Sequence, residues 1–122
     1  MRTILVIDDN VAVLSTLIYL LEEAGYRVVS AENGDAGARI YRSQNPDLVI
    51  ADIIMPERGG ISTIREIKQL CPEAKIIAIS GGARIGNADP LDAAREVGAT
   101  TALAKPLDPD DFLEIVNGLL AA

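Results

Sequence analysis

Leu48–Pro56 reads LVIADIIMP, and eight of these nine residues are apolar or proline. A run this apolar suits a parallel strand covered on both faces, because polar alternation disappears when neither face meets water. Asp52 breaks the run. An ionised carboxylate is costly to bury unless a partner offsets its charge. Asp52 is therefore expected where the strand leaves the core, beside a cation, or both.

On either side of this segment, short β-branched runs alternate with longer stretches of helical period. TILVI (Thr3–Ile7) is a second continuous apolar run, and Leu14, Leu17, Ile18 and Leu21 then follow the i, i+3, i+4, i+7 spacing of an inward-facing helical stripe. Gly25 reads as the residue just past that helix, where a positive φ is cheap. RVVSA (Arg27–Ala31) is a weaker strand; Asn33 is placed to cap a short helix over Asp35–Ser43, which Asn45–Asp47 ends. The third strand is expected over Asp47–Asp52, followed by a helix with Ile61, Ile64 and Ile67 on one face. A fourth strand covers Lys75–Ser80, a Gly-rich loop runs from Ser80 to Pro90, and a short helix from near Pro90 stops before Gly98. Thr101–Ala104 is a brief fifth strand. Asp108 then supplies a cap, Pro109 suits a first turn, and Asp110 and Asp111 favour the positive end of a helix dipole. Phe112, Ile115, Val116 and Leu119 form the buried stripe of this last helix. Five strands alternating with five helices predict an α/β fold with an open, doubly wound parallel sheet.

The totals narrow the function. The chain has 122 residues, no histidine, one cysteine and a formal charge of -7. That length suits one compact domain over residues 1–122, burying roughly two-thirds of its unfolded surface. No repeat or linker is evident, so a stand-alone domain without a separate output module is expected, the alternative being a domain cut from a longer chain. No apolar run approaches the ~20 residues that cross a bilayer. MRTILVIDDN at the N-terminus ends in acids and lacks a small-residue cleavage site, so a cytoplasmic protein without membrane association is expected. Cys71 reads as a reduced packing residue, since a lone cysteine offers neither a disulfide nor a metal pattern. Scattered Lys and Arg on an acidic chain argue against direct nucleic-acid binding. Without histidine, any chemistry must run on carboxylates, hydroxyls and lysine.

Those groups converge. Asp8 and Asp9 end the first strand, Asp52 the third and Ser80 the fourth, while Lys105 follows the fifth. Ligands of open α/β sheets bind just beyond the carboxyl ends of the strands, so five polar side chains are aimed at one rim. Two unit charges ~4 Å apart interact by about 4 kcal/mol at an effective dielectric near 20. Three crowded carboxylates would therefore cost a large share of the ~5–15 kcal/mol that holds a domain together. Lys105 cannot balance them alone. An all-oxygen site that retains waters suits Mg²⁺, whereas Ca²⁺ more often draws its acids from one compact loop. With a lysine and a hydroxyl beside it, such a site suits phosphoryl transfer, with Asp52 as nucleophile.

VIDDN (Val6–Asn10), DIIMP with Gly60 eight residues after Asp52, IAIS (Ile77–Ser80) and AKPL (Ala104–Leu107) together resemble the response-regulator receiver domains of two-component signal transduction. The resemblance spans essentially the whole chain. It implies a flavodoxin-like sheet of strand order 2-1-3-4-5. It also implies that Asp52 accepts a phosphoryl group from a histidine kinase or a histidine phosphotransfer protein, within a phosphorelay. Asp9, Asp52 and the Ile54 carbonyl would bind Mg²⁺ directly, with Asp8 acting through water, and Lys105 would contact the phosphoryl group. The Lys105–Pro106 bond is often cis in this family. Such a domain is a regulatory phosphoacceptor rather than an enzyme, and signals to a downstream protein through a changed surface near the fourth helix and fifth strand.

Other readings accompany these residues. Asp8 and Asp9 suit helix caps, Asp52 a cap or turn, Ser80 a loop hydrogen-bonder, and Lys105 a solvated surface lysine. Gly59 and Gly60 read as backbone devices in the loop after Asp52, and Met55 and Pro56 as packing and turn geometry. A degenerate receiver that binds partners without phosphorylation is the main functional alternative, although the acid set is intact. A haloacid-dehalogenase site wants D-x-D-x-T after the first strand, and no Gly-rich nucleotide motif follows Ile7. Ala102 stands where the family commonly has an aromatic ring that couples to the hydroxyl residue. The 81–89 loop and the helix after it are therefore expected to carry the conformational change. Ile54 and Gly82 stand where relatives often carry polar side chains near the attacking water, so slow self-dephosphorylation is expected.

Overall fold

The computed structural model describes residues 1–53, 60–81 and 90–121, without the side chains of Pro90 and Leu91. Within them lie β1 (Thr3–Ile7), α1 (Val11–Glu23), β2 (Arg27–Ala31), α2 (Gly34–Gln44), β3 (Leu48–Asp52), α3 (Gly60–Leu70), β4 (Ile76–Ser80), α4 (Pro90–Glu96), β5 (Thr101–Ala104) and α5 (Pro109–Leu120). All strand pairs are parallel, in the order β2-β1-β3-β4-β5. This is the doubly wound sheet expected from the alternation.

Strand alternation sorts the apolar side chains onto two faces. Ile4 and Val6, Leu48 and Ile50, and Ile77 and Ile79 meet Leu14, Leu17 and Leu21 of α1 and Phe112, Val116 and Leu120 of α5. Leu5 and Ile7, Val49 and Ala51, and Ile76 and Ala78 meet Tyr41 of α2, Ile64 and Ile67 of α3 and Ala94 of α4. Every residue of β3 and β4 is buried. Each fully buried Leu or Ile contributes about 1.5–3 kcal/mol, so the two central strands anchor the molecule.

The ends of the elements depart slightly from the expected bounds, each for a local reason. β3 starts at Leu48 because Asp47 is occupied by β1: its N–H donates to the Thr3 carbonyl (2.7 Å) and its Oδ2 accepts the Thr3 N–H (2.8 Å). β4 starts at Ile76, while Lys75 donates through Nζ to the Leu119 carbonyl at the end of α5 (2.6 Å). On α5 the fully inward residue of the last turn is Leu120, four after Val116, and Leu119 is only half-buried.

The caps follow helix-terminus chemistry. Asn33 accepts the Ala36 N–H for α2 (2.8 Å), and Asp108 accepts the Asp111 N–H for α5 (3.0 Å). Helix α1 is capped by Asn10, not by Asp8 or Asp9, which leaves both acids for other work. Beyond α1, Gly25 adopts a φ of 97°, as expected of a glycine just past the helix end. Cys71 is a half-buried free thiol packed against the α2–α3–α4 side of the core.

Candidate functional site

The register carries the acids together. Ile7 is paired with Ala51, so the next residues, Asp8 and Asp52, emerge side by side from β1 and β3. Asp8 continues the ladder one step further, donating its N–H to the Ala31 carbonyl (3.1 Å), and the Ile53 N–H does the same to Ile79 (2.9 Å). Asp8, Asp9 and Asp52 each offer a carboxylate oxygen, and these oxygens lie within 4.8 Å of one another. Asp8 and Asp52 are 1% and 6% exposed, whereas Asp9 faces solvent.

Lys105 reaches this cluster from the other side of the sheet. Its backbone N–H donates to the Ser80 carbonyl (2.7 Å), which locks the end of β5 onto β4. Its Nζ then donates to Asp52 Oδ2 (3.2 Å) and to Asp8 Oδ2 (3.3 Å). The Lys105–Pro106 bond is cis. Lys105 is thus no solvated surface residue. Beside it opens an apolar recess of about 570 Å³ between Val13, Leu17 and Leu20 of α1 and Pro106 and Leu107.

Burial pushes the Lys105 ammonium toward its neutral form, but the charges of Asp52 and then Asp8, with their hydrogen bonds, outweigh it and raise the pKa above its ordinary 10.5. A folded-state value above the unfolded one stabilises fully below pH 10.5 and is lost as pH rises through the raised value. Tyr41 carries the same sign: burial, then the Cys71 hydrogen bond, pushes its phenol from 10.0 up to about 12. The urea midpoint, followed by circular dichroism, is expected to fall steadily above about pH 10. A midpoint that stays flat through this range would contradict both assignments.

Ser80 ends β4 fully buried, on the same alternation as Ile76 and Ala78 and thus toward the α2–α3–α4 side of the sheet. Its backbone neighbours Lys105, while its side chain sets out from the face opposite the one that Leu48 and Ile50 share with Asp52. The Ile54 carbonyl, Met55, Pro56, Gly59, Gly82 and most of the 81–89 loop lie outside the described residues. Ala102 is buried on β5 among the α2–α3–α4 cluster.

Gly60 has a sharper role than turning a loop. A Cβ there would lie 2.1 Å from the Asp52 carbonyl oxygen and 2.6 Å from the Ile53 Cα, and the Gly60 N–H donates to the Ile53 carbonyl (3.0 Å). Only a glycine lets α3 begin directly against the end of β3. Gly60→Ala is expected to cost on the order of 1–3 kcal/mol in urea unfolding, with a weaker affinity for divalent cations as Asp52 is displaced. Unchanged stability would show that the contact relaxes without effect.

The donor set answers which ion fits. Among the described residues, three carboxylates and one ammonium leave two negative charges in a mostly buried, all-oxygen cluster, which matches a small divalent cation that keeps some of its waters.

The family model of the response regulator receiver domain matches residues 4–117. The chain is 36% identical to the chemotaxis protein CheY of Bacillus subtilis, covering 96% of each chain. It is 32% identical to protein PilH of Pseudomonas aeruginosa, covering 99% of each. Among solved structures it is similar to the response regulator protein TrrA of Thermotoga maritima, in complex with Mg²⁺ and BeF, at a TM-score of 0.85 and 33% identity over 98% of this chain and all of that one. The chain belongs to the response regulator receiver domain family. Receiver domains are regulatory phosphoacceptors that bind Mg²⁺ at an acidic pocket, are phosphorylated by sensor kinases and pass the signal to downstream targets. No described helix is long and apolar enough to cross a membrane.

Proposed function

We propose that this chain is a phosphorylation-controlled switch whose phosphoacceptor is Asp52. The observation that carries the reading is the Lys105 ammonium bridging Asp8 and Asp52 inside a cluster where, among the described residues, three carboxylates meet one cation. A carboxylate oxygen of Asp52 attacks the phosphorus of a phosphohistidine on a sensor kinase or phosphotransfer protein. The new O–P bond forms as the N–P bond to the imidazole breaks, leaving an aspartyl phosphate. Asp9, Asp52 and the Ile54 carbonyl would hold Mg²⁺ directly and Asp8 through water; bound there, the ion supplies positive charge for the transferring oxygens.

Lys105 then turns its Nζ from Asp52 toward the phosphoryl group, keeping Asp8 as its second partner. The Ser80 hydroxyl donates to a phosphoryl oxygen. Because Ser80 leaves the sheet on the α2–α3–α4 side, recruiting its hydroxyl pulls on the segment leading to α4. The altered surface there passes the signal to a downstream protein, and the aspartyl phosphate is lost only slowly.

Titration with beryllium fluoride and Mg²⁺, followed by amide exchange, tests this reading. Protection is expected to rise at the ends of β3, β4 and β5 and in α4. Identical exchange in both states would contradict it.

A further inference from the structure

We infer that Asn10 is a positioning residue for the acidic pair, deepening the proposed Mg²⁺ and phosphoryl site on which it rests. The turn Asp8-Asp9-Asn10 is tied at both ends. Asp8 is held by its N–H to the Ala31 carbonyl (3.1 Å). Asn10 is held by α1: its Oδ1 accepts the N–H groups of Ala12 (3.0 Å) and Val13 (3.2 Å), and its carbonyl accepts the Leu14 N–H (2.9 Å). Between these anchors, the Asn10 N–H donates to Asp8 Oδ1 (2.9 Å). Asp8 therefore has one carboxylate oxygen committed to the Asn10 backbone and the other to Lys105.

Asp9 is different. Among the described residues its carboxylate has no hydrogen-bond or ion-pair partner, yet it lies within 4.8 Å of the oxygens of Asp8 and Asp52. Among the described residues, only its backbone holds this exposed anion beside two others that repel it. The side chain of Asn10 fixes that backbone, joining β1 to the first turn of α1. A purely structural cap would stabilise the helix and leave the acids indifferent. Here the capping residue is also the donor to one acid and the chain neighbour of the other.

Calorimetry of Mg²⁺ binding to the full chain separates these roles. Asn10→Ala and Asn10→Gly keep the N–H that donates to Asp8 but lose the side-chain cap that fixes it, so they are expected to weaken Mg²⁺ affinity about three- to fivefold, less than the tenfold or more lost when an outer-shell partner of a metal ligand is removed outright. Glycine is well tolerated as a cap, so Asn10→Gly keeps the fold even if the alanine variant does not. Asn10→Ser restores a capping oxygen and should restore affinity. Asn33→Ala, which removes the equivalent cap from α2, should lower the melting temperature and leave Mg²⁺ affinity at the parent value. In metal-free protein the residue-10 amide of Asn10→Gly should exchange faster than in the parent. Parent-like affinity in Asn10→Gly, or an equal loss in Asn33→Ala, would overturn the inference. Failure of the parent to bind Mg²⁺ would instead sink the proposed function, and the metal-free exchange rates would then decide the role of Asn10 alone.

Discussion

Mg²⁺ at a hundred times its dissociation constant should raise the melting temperature by roughly 8–14 °C. The ion binds a site that exists only when β1, β3 and β5 are assembled, so its binding free energy adds to stability by mass action. At that concentration the gain is about 2.7 kcal/mol. The gain is specific because, among the described residues, three carboxylates crowd against one ammonium at close range, where monovalent salt screens poorly. Scanning calorimetry in MgCl₂ and in a choline salt of matched ionic strength reads it directly. A shift no larger in Mg²⁺ than in the choline salt would mean that the acids do not form a cation site.

Asp52→Asn should stabilise the metal-free protein by about 1 kcal/mol, abolish phosphorylation and shrink the Mg²⁺ shift. The sign comes from competing Coulomb terms. With the carboxylate oxygens within 4.8 Å of one another, each of the two repulsions on Asp52 is at least about 3.5 kcal/mol at an effective dielectric of 20. The attraction of Lys105 at 3.2 Å is about 5 kcal/mol on the same scale. Among the described residues, two repulsions exceed one attraction by at least about 2 kcal/mol, and the exposure of Asp9 to water trims that surplus. Lys105 keeps Asp8, so the lysine is not left unpaired. Urea unfolding at neutral pH without divalent ions measures the change. A midpoint that moved down would mean that the ion pair outweighs the crowding.

Much of this was legible because the chemistry is strung along the chain at strand ends. LVIAD and TILVI declared two-sided burial through their apolar runs, and β3 is buried at every position and β1 at all but its first. Asp8, Asp9, Asp52 and Lys105 each broke an apolar pattern at the point where a strand stopped. Strand order was different. Periodicity says which face of a segment is apolar but not which strand lies beside it, so the order 2-1-3-4-5 came from family resemblance. The sequence does not single out Asn10, because the two acids before it are equally plausible caps and cap preference cannot choose among adjacent Asp and Asn. The available signal was position: Asn10 directly precedes the stripe through Leu14, while Asp8 still belongs to the β1 ladder. The tight approach of Gly60 to Asp52 was invisible for a related reason, since it joins segments whose contact only the tertiary fold creates.

The most direct trial is intact-mass measurement after incubation with acetyl phosphate and Mg²⁺, run in parallel on the parent and on Asp52→Ala. The parent should gain the mass of one phosphoryl group and the variant none. A parent whose mass does not change, or a variant that gains the same increment, would show that Asp52 is not the phosphoacceptor; the unchanged parent would turn the reading toward a binding module that works without phosphorylation.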